Sequence, residues 1–504
     1  MSRLIEIMDT TLRDGEQTAG ISFKPSEKLT LAKILLDELN IDRLEVASAL
    51  VSEGELDAVK RIANWANEAG HLQRIEVLTF VDKGRSIKWM KRAGVKVQNL
   101  LTKGSLNHLE HQLRKIPEEH FSDISEVLQI AVAAGIDTNV YLEDWSNGMK
   151  YSPEYTFQYL DFLATQPVKR VLLPDTLGVL TPAETSQFIG QIVKRYPNLH
   201  FDFHGHNDYD MSVSNSMEAV KAGCHGLHLT VNGMGERAGN APLASTIAVI
   251  NDFLPDVSIR VDETALFKVS KIVSAFSGFI VPVNKPIVGD NVFTQTAGIH
   301  ADGDSKKNLY FNDLLPERFG RRRRYALGKT SGKANILKNL EQLGLTLKKH
   351  EVKRVTERII ELGDRKESVT REDLPYIISD VLHNDISEPN VAIESYILIH
   401  GKGQNPSAAL KLNIQGTTFE ENAEGDGQFD AFMNALEKIY ISCGIGLPRL
   451  VDYTVRIPPG SHTDALCETK ITWTIRSKEL MTTGLDPDQT VSAIKATEKM
   501  LNLI

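Results

Sequence analysis

Short apolar segments alternate with longer amphipathic segments over about the first 260 residues of this chain, and this alternation restricts the fold more than any other feature of the sequence. The short segments are rich in Val, Ile and Leu, which is typical of strands buried on both faces. The longer segments place their apolar residues on one face of a helix. The predicted strands cover residues 4–9, 43–48, 74–81, 96–101, 138–142, 170–174, 200–204 and 226–231.

Eight strands that alternate with helices in roughly 250 residues predict a (β/α)8 TIM barrel. A doubly wound open sheet is the alternative. No Gly-x-Gly-x-x-Gly pattern follows the first predicted strand, so a dinucleotide site, which would favour the open sheet, has no support in the sequence. One helix start is well marked, because Thr181 is suited to the N-cap and Pro182 to the first helical position.

The pattern changes after residue 260. A helix is predicted over residues 262–279, followed by a proline-containing linker and by helices from about 330 to 388. Strands return at residues 392–400, 408–414, 450–457 and 469–475, with helices at 427–442 and 487–503. We therefore predict an α/β chain with a (β/α)8 barrel over residues 1–280, a helical linker subdomain over 281–389 and a C-terminal α+β domain over 390–504.

Composition argues against several classes of function. The net charge is −9, whereas a general nucleic-acid binder needs a basic surface, so we interpret the run Arg321-Arg-Arg-Arg324 as a solvated or salt-bridged face. Cys224, Cys443 and Cys467 are widely spaced, which predicts no disulfide framework and fits a reducing compartment. No apolar run approaches the ~18 residues of a membrane span. We expect a cytoplasmic protein without a nucleic-acid or membrane partner.

Polar residues cluster where the predicted strands end. Examples at or just beyond these ends are Asp14, Glu45, Glu143, Thr176 and His204. The carboxyl ends of barrel strands meet at one rim, which is where catalytic residues lie in such folds. The loops that enter the strands carry no comparable cluster, and this one-sided distribution favours a catalytic barrel over a structural one.

His204 and His206 are the strongest candidates for metal ligands. Residues two apart on a strand point to the same side, so the two imidazoles project together. An isolated His-x-His pair more often has a hydrogen-bonding role, but Asp14 and Asn240 follow the first and eighth strands, which are neighbours in a closed barrel. Two imidazoles, a carboxylate and an amide oxygen suit a divalent ion with open positions, such as Mn, Mg, Co or Zn. The alternative for Asp14 is a carboxylate that only stabilises its own loop.

Four further residues are candidates for chemistry beside the ion. Arg13 is suited to a substrate oxygen that the ion polarises, and its alternative role is a salt bridge, for example to Glu143. Glu143 itself is suited to acid–base catalysis or to orienting Arg13. His300 is suited to proton abstraction next to a carbonyl, with help from Tyr310, and its alternative is a solvated loop histidine.

Three motifs resemble those of the isopropylmalate/homocitrate/citramalate synthase family: Thr11-Leu-Arg-Asp-Gly-Glu-Gln17, His204-Gly-His-Asn-Asp208 and Asn232-Gly-Met-Gly-Glu-Arg-Ala-Gly-Asn240. The segment around His300 belongs to the same pattern, and the resemblance runs through the whole chain. It implies a metal-dependent, aldol-type condensation of acetyl-CoA with a 2-oxo acid, followed by hydrolysis of the thioester. It also implies a homodimer in which the His300 segment reaches the barrel of the partner subunit.

The resemblance further implies a role for each candidate residue. The four metal candidates hold the ion, and the 2-oxo acid chelates it through its carboxylate and keto oxygens. Arg13 stabilises the developing alkoxide. The remaining three candidates, Glu143, His300 and Tyr310, serve enolisation and hydrolysis.

Within the family, the pattern is most similar to the members whose 2-oxo acid is pyruvate. Leu78, Leu101 and Tyr141 then wall the pocket beside the pyruvate methyl, and Thr176 holds the pyruvate carboxylate. Bulky side chains there leave no room for the isopropyl group of 2-oxoisovalerate, the substrate of the alternative branch. A methyl-sized difference is worth only ~1–3 kcal/mol, which ranks the two substrates without deciding between them.

The C-terminal region carries two segments, Gly425-Asp-Gly-Gln-Phe-Asp-Ala431 and Pro459-Gly-Ser-His-Thr-Asp-Ala465, that resemble the amino-acid-sensing elements of the family. The resemblance implies an amino-acid effector, isoleucine or leucine, and the first segment departs from the common Gly-Pro-Val-Asp-Ala pattern, which leaves the effector open. A dimerisation domain without a ligand is the alternative. The regulatory candidates are Asp430, Tyr453, Asp464 and Ala465.

Two other classes of function stay open on the sequence. A related lyase that cleaves a 3-hydroxyacyl-CoA would share the barrel and the metal, although the appended C-terminal domain argues against it. A non-catalytic amino-acid sensor would keep the barrel without turnover, although the complete set of candidate ligands argues against that.

Overall fold

The computed structural model describes residues 2–296, 303, 309, 312–343, 345–364, 369, 371–382, 391–456, 467–475 and 478–503. The chain divides into two compact units. The first comprises Met1–Phe293 with Asn312–Arg323, and the second comprises Thr294–Phe311 with Arg324–Ile504. Among the described residues, no helix combines the length and apolarity needed to cross a bilayer.

The first unit contains a closed barrel of parallel strands, which confirms the predicted (β/α)8 fold and excludes the open sheet. The barrel closes where the first strand pairs with the eighth, with Glu6 opposite Gly226 and Asp9 opposite Leu229. The strands are β1 Glu6–Asp9, β2 Arg43–Ser48, β3 Ile75–Phe80, β4 Val97–Lys103, β5 Asp137–Glu143, β6 Arg170–Asp175, β7 Phe201–Gly205 and β8 Gly226–Leu229.

Most predicted strand ends differ from the observed ones by one or two residues, and two of these differences change the path of the chain. Residue 4 belongs to a separate two-residue strand, Arg3–Leu4, which pairs with Val257–Ser258 outside the barrel. Residue 231 lies not in β8 but in a 3-10 turn, Val231–Gly233, in which Asn232 has a left-handed backbone with φ 61°. The chain therefore turns sharply at the end of β8, and this turn starts the loop that carries Asn240.

Amphipathic helices cover the outside of the barrel. The predicted helix start at Thr181 is confirmed, since the Thr181 hydroxyl accepts a hydrogen bond from the Glu184 N–H and the Glu184 carboxylate accepts one from the Thr181 N–H. The α-helices of this unit longer than one turn are Pro25–Lys33, Glu53–Ala69, Arg85–Ala93, Pro117–Ala133, Trp145–Tyr151, Pro153–Leu163, Pro182–Arg195, Ser212–Lys221, Leu243–Phe253 and Leu266–Ser277. The last of these is shorter than the predicted 262–279.

The barrel strands alternate between apolar residues that join the main hydrophobic core and buried polar residues. Val46, Val77 and Leu100 belong to that core, whereas Glu45, Glu76 and Asn99, each adjacent to one of them, are equally buried but polar. Barrel interiors of this fold are usually filled by branched apolar side chains. The barrel interior of this chain is therefore more polar than is usual for the fold.

The second unit is α+β, as predicted for the C-terminal region. Its helices Lys333–Leu343, Lys349–Asp364 and Leu374–Leu382 share a small apolar core. Two three-stranded antiparallel sheets follow, with helices Gln428–Ser442 and Gln489–Leu501. The sheets comprise Val391–Ile399, Ser407–Ile414 and Thr417–Glu424, then Arg449–Arg456, Cys467–Ile475 and Lys478–Asp486.

The sequence pattern missed two of these six strands, Thr417–Glu424 and Lys478–Asp486. Thr417–Glu424 is an edge strand whose side chains are mostly exposed, so it lacks the apolar alternation on which the prediction depends. The predicted domain boundaries at residues 280 and 389 stay predictions.

Candidate metal centre and active site

The structure gathers Asp14, His204 and His206 into one cluster at the carboxyl rim of the barrel. One potential ligand atom from each residue lies within 4.8 Å of the others. The Nε2 atom of His204 is 3.2 Å from Asp14 Oδ2, and the Nε2 atom of His206 is 3.9 Å from the same oxygen. The three residues are only 2%, 3% and 8% exposed, so water solvates none of them freely.

Asn240 lies beside this cluster. Its backbone forms an antiparallel bridge with His206, and residues paired in this way project to the same side. The Asn240 Nδ2 atom donates to the Met234 carbonyl at 3.0 Å, while its Oδ1 atom is buried without a hydrogen-bond partner among the described residues. Gly235 makes room for the amide, since its φ is +146° and a Cβ there would lie 2.2 Å from Asn240 Nδ2.

The polar atoms without partners test whether this cluster fits a metal. His206 forms no side-chain hydrogen bond within the described residues, and the Nδ1 atoms of both histidines are buried without partners. Asp14 precedes the 3-10 helix Gly15–Gln17 but makes no side-chain capping bond, unlike a carboxylate that only stabilises its loop. A buried polar atom without a partner costs free energy, and a bound cation would supply that partner. The donor set of imidazole nitrogens, carboxylate and amide oxygen therefore fits a divalent ion.

The electrostatics keep the cluster in a state that can bind a cation. Burial alone would raise the pKa of Asp14, but Arg13 and the two histidines hold it well below its ordinary value. Burial, together with the neighbouring His204, lowers the pKa of His206 to about 4. At neutral pH Asp14 is therefore a carboxylate and His206 a neutral imidazole, which are the forms that ligate metals.

Arg13 is fixed between the metal candidates and the barrel interior. Its Nε donates to Glu45 Oε2 at 2.6 Å, its Nη1 lies 3.4 Å from Asp14 Oδ2, and its Nη2 donates to the Tyr141 hydroxyl at 3.4 Å. The suggested salt bridge from Arg13 to Glu143 is not what the structure shows. Glu143 instead pairs with the Lys103 ammonium, because the register of β4 and β5 sets these two residues side by side.

Glu143 lies at the end of β5 and remains partly exposed. The next residue, Asp144, has a left-handed backbone with φ 63°, which is uncommon outside glycine. Asp144 is held there by hydrogen bonds from the Ser105 hydroxyl at 2.7 Å and the Asn147 amide at 2.7 Å. This turn and the Lys103 ion pair together fix the direction of Glu143, and the sequence analysis did not identify Lys103.

The predicted pocket residues form one apolar cluster inside the barrel. Leu78 and Tyr141 pack together there with Leu101 at the edge, and Met8 and Leu172, which the sequence analysis missed, complete the cluster. The Tyr141 ring lies edge-on to the His204 ring, with centroids 6.1 Å apart, so the apolar cluster adjoins the metal candidates.

Thr176 follows β6 at the same rim. Its hydroxyl oxygen accepts a hydrogen bond from the Asp144 N–H at 2.9 Å, which leaves the hydroxyl proton able to donate. A donor at this place agrees with the role that the resemblance implies for Thr176, which stays a prediction.

His300, Tyr310, Asp464 and Ala465 lie outside the described residues. Asp430 is exposed in the first turn of helix Gln428–Ser442 and accepts from the Asp426 N–H at 2.9 Å. Tyr453 packs on Phe429, the neighbour of Asp430, with ring centroids 5.4 Å apart. The regulatory assignments stay predictions.

A closed chain of polar contacts fills the barrel interior beneath the rim, and we call it the polar ring. The Asn99 amide donates to Glu45 at 2.8 Å, the Asn139 amide donates to Asn99 at 2.9 Å and to Glu76 at 3.2 Å, and Arg43 contacts both Glu76 and Asp202. The ring then returns to the rim through His228 and Tyr141. In order it consists of Arg13, Glu45, Asn99, Asn139, Glu76, Arg43, Asp202, His228 and Tyr141.

The charges of the polar ring follow from burial and pairing. Burial alone would raise the pKa of Asp202, but Arg43 and two histidines hold it well below its ordinary value. Burial raises the pKa of Glu76 even though Arg43 opposes the shift. Burial also lowers the pKa of His228 to about 4 against the pull of Asp202, so this imidazole is neutral. The sequence carried one signal for these residues, namely polar side chains within otherwise apolar strands.

Comparison with known proteins matches most of the chain to three consecutive family models. Residues 4–273 match "HMGL-like", residues 287–367 match "Homocitrate synthase post-HMGL domain-like", and residues 368–504 match "LeuA allosteric (dimerisation) domain". An (R)-citramalate synthase of Methanocaldococcus jannaschii is 33% identical over 467 residues, which is 92% of this chain and 92% of that relative. A 2-isopropylmalate synthase of Aquifex aeolicus is 31% identical over an alignment of 511 residues, which covers 100% of this chain and 96% of that relative. The citramalate synthase and the isopropylmalate synthase are almost equally identical in sequence to this chain, so sequence identity alone does not distinguish between the two activities.

Proposed function

The chain belongs to the HMGL-like family and, within it, to the acetyl-CoA-dependent synthases that include the citramalate and isopropylmalate synthases, and from this premise we propose that it is an (R)-citramalate synthase. In that reaction the methyl carbon of acetyl-CoA forms a bond to the keto carbon of pyruvate. Water then cleaves the thioester to give citramalate and CoA. The observation that carries the choice of pyruvate is the apolar cluster of Leu78, Leu101 and Tyr141 next to the metal candidates.

The metal candidates Asp14, His204, His206 and Asn240 would hold the divalent ion, whose chemistry is to polarise the keto group of the 2-oxo acid. Mn, Mg, Co and Zn all suit these donors. Arg13 would donate a hydrogen bond to the oxygen on which negative charge develops, because Glu45 occupies its Nε and leaves the outer nitrogens facing Asp14 and Tyr141.

Proton transfer would fall to the other candidates. Glu143, held by Lys103, would exchange protons with the acetyl methyl or the attacking water. His300 and Tyr310 would act with it, and in this proposal the segment that carries them comes from the partner subunit of a homodimer. The match to the dimerisation domain supports the homodimer.

The choice between pyruvate and 2-oxoisovalerate depends on space in the apolar cluster. Leu78 and Tyr141 are almost fully buried, and Met8 and Leu172 pack behind them. An isopropyl group would have to displace one of these close-packed side chains, which costs ~1–3 kcal/mol. A methyl group needs less room, so the cluster favours pyruvate.

Regulation is the finer part of the proposal. We infer that the C-terminal unit binds an amino acid and that isoleucine, the end product that fits a citramalate synthase, is the inhibitor, with leucine as the alternative. The match to the "LeuA allosteric (dimerisation) domain" over residues 368–504 supports an effector site there. The proposal also includes a cytoplasmic location, for which the three widely spaced cysteines give support.

A panel of 2-oxo acids tests the proposal. CoA release from acetyl-CoA is measured with pyruvate, 2-oxobutyrate and 2-oxoisovalerate in the presence of Mn or Mg, and then with isoleucine or leucine added. We expect the largest kcat/KM with pyruvate and inhibition by isoleucine. A larger kcat/KM with 2-oxoisovalerate would make the protein a 2-isopropylmalate synthase, and no release with any 2-oxo acid would remove the synthase assignment.

A further inference from the structure

His228 connects the buried carboxylate of Asp202 to the active-site rim. Its Nε2 atom lies 3.2 Å from Asp202 Oδ2, and its Nδ1 atom lies 2.9 Å from the Tyr141 hydroxyl. Arg13 Nη2 in turn donates to that hydroxyl at 3.4 Å. His228 is on β8, it is almost completely buried, and no role follows for it from the motifs or from the metal candidates.

The contacts give these hydrogen bonds one direction. Asp202 is paired with Arg43 and is ionised, so it can only accept, and the proton of the His228 imidazole is therefore on Nε2. The Nδ1 atom of a neutral imidazole then accepts, so the Tyr141 hydroxyl donates to it. The Tyr141 oxygen consequently turns its lone pair toward Arg13, which has only donors to offer.

This direction matters because Tyr141 and Glu45 hold Arg13 from two sides. The Glu45 carboxylate accepts a hydrogen bond from Arg13 Nε at 2.6 Å, and the Tyr141 hydroxyl accepts one from Arg13 Nη2. The second bond sets how the guanidinium is rotated about the first. A Tyr141 hydroxyl without its acceptor could rotate and donate elsewhere, and Arg13 Nη2 would then lose its acceptor. The Nη1 atom, 3.4 Å from Asp14, would move with it.

We propose that His228 is a positioning residue that, through the Tyr141 hydroxyl, orients Arg13 toward the 2-oxo acid. The proposal rests on the proposed function, because it concerns how Arg13 meets that substrate. A competing role is mechanical, since the His228 ring also lies edge-on to the His204 ring with centroids 5.7 Å apart and could simply support that ligand.

Three substitutions at one position separate these roles. His228→Asn retains an acceptor near the place of Nδ1, His228→Gln retains a donor near the place of Nε2, and His228→Leu retains neither. Positioning through Tyr141 predicts that His228→Leu and His228→Gln lower kcat by about 10- to 100-fold, and that His228→Asn recovers at least about tenfold of that loss. It also predicts that the affinity for Mn, titrated calorimetrically without substrate, changes by less than about threefold in all three variants.

Tyr141→Phe is a second variant, and it tests the hydrogen bond between His228 and Tyr141 from the tyrosine side. It retains the ring of the apolar cluster and removes only the hydroxyl. We expect it to lower kcat about as much as His228→Leu, and the double variant to be no slower than either single variant, because the two act in series. If His228→Leu folds poorly, the same comparison of single and double variants is made with His228→Gln in its place.

The outcomes are distinct. Equal losses in His228→Asn and His228→Gln, additive losses in the cycle, or a loss of Mn affinity would each overturn positioning, the last in favour of mechanical support for His204. The kinetic comparison uses whichever 2-oxo acid the unmodified protein consumes, so a wrong substrate assignment does not affect it. If no 2-oxo acid is consumed, the proposed function fails. Calorimetric binding of pyruvate to the Mn-loaded protein, expected to be about tenfold weaker in His228→Leu than in His228→Asn, then decides the positioning role.

Discussion

The rim of the barrel and the polar ring beneath it are buried to nearly the same degree, yet they satisfy their polar groups differently. At the rim, Asn240 Oδ1 and the Nδ1 atoms of His204 and His206 are buried without a hydrogen-bond partner among the described residues. In the polar ring each residue contacts two neighbours of the same ring, as Asn99 does with Glu45 and Asn139. The ring closes on itself within the chain, although two of its atoms, Asn139 Oδ1 and Arg43 Nε, are buried without a hydrogen-bond partner among the described residues. The rim differs in that Asp14, His204 and His206 bring one potential ligand atom each within 4.8 Å of the others, and this convergence distinguishes it as a ligand site.

Removal of a rim carboxylate should give the largest effect and should spare stability. We expect Asp14→Asn to lower the rate of CoA release by about 10³-fold, more than the ~10–100-fold typical of losing an outer partner of a ligand. The free energy of unfolding should change by less than about 1 kcal/mol, because Arg13 retains Glu45 as its carboxylate partner. Steady-state kinetics, Mn titration and urea unfolding measure the three quantities.

An exposed histidine provides the control for this variant. His111→Ala, outside both regions, should leave rate, metal affinity and stability unchanged. A stability loss in Asp14→Asn that matched its loss of activity would mean that the rim is structural after all, and the contrast with the polar ring would disappear.

Substitution in the polar ring should lower stability and leave metal affinity unchanged, which is the reverse of what is expected at the rim. Glu76→Leu leaves Asn139 without one acceptor and removes one of the carboxylates around the buried Arg43. We expect the free energy of unfolding to fall by about 3 kcal/mol, as is usual when one partner of a buried ion pair is lost. Metal affinity should not change.

Glu76→Gln is the matched control, because it retains the shape and an acceptor oxygen for Asn139. Since burial already raises the pKa of Glu76, loss of its charge should cost less than loss of the whole group. Urea unfolding of the two variants side by side makes the measurement. Equal losses of stability would show that charge alone matters in the ring and that the acceptor for Asn139 does not.

The boundary between the two regions, the apolar cluster, should control which 2-oxo acid is accepted. Leu78→Ala vacates space beside Tyr141. We expect the ratio of kcat/KM for 2-oxoisovalerate to that for pyruvate to rise by about 10- to 100-fold, because one or two methylene groups are worth ~1–3 kcal/mol. Leu36→Ala opens a cavity in the main hydrophobic core away from the site. It should lower the free energy of unfolding without changing the ratio of the two kcat/KM values. An unchanged ratio in Leu78→Ala would show that this cluster does not contact the substrate.

The sequence alone predicted which residues meet at the rim, but it did not predict the contacts of the polar ring. Closure of the barrel follows from eight strand–helix units, and closure alone brings the ends of β1, β7 and β8 together, so the sequence suffices to group Asp14, His204 and His206. The grouping needed only the order of the strands. It did not depend on the pairing of individual residues.

The ring and the ion pairs depend on register, which sequence does not reveal. Lys103 and Glu143 are neighbours because they are paired residues of β4 and β5, and a different strand stagger would have separated them. For the same reason Arg13 could be assigned a salt bridge but not its true partner, Glu45. Strand order was therefore sufficient to group Asp14, His204 and His206, whereas the pairwise contacts of Arg13 and Glu143 could not be predicted without the register.

Acid titration of a buried histidine outside both the rim and the polar ring gives the smallest expected effect. His120, on helix Pro117–Ala133, accepts from the Lys103 N–H through Nε2, and its burial lowers its pKa to about 4. An unfolded chain protonates this imidazole below about pH 6.5, while the native state does so only near pH 4. The native state therefore binds fewer protons in that window, so the free energy of unfolding falls as pH falls from about 6.5 to 4 and is independent of this group above it. His120→Gln, which cannot titrate, should thus lose about 1 kcal/mol less than the unmodified protein between pH 7.0 and pH 5.5. Urea unfolding at the two pH values measures this difference, and His111→Gln, at an exposed position, controls for the replacement itself. A pH dependence in His120→Gln identical to that of the unmodified protein would mean that His120 does not resist protonation and that its burial, unlike that of His206, has no electrostatic consequence.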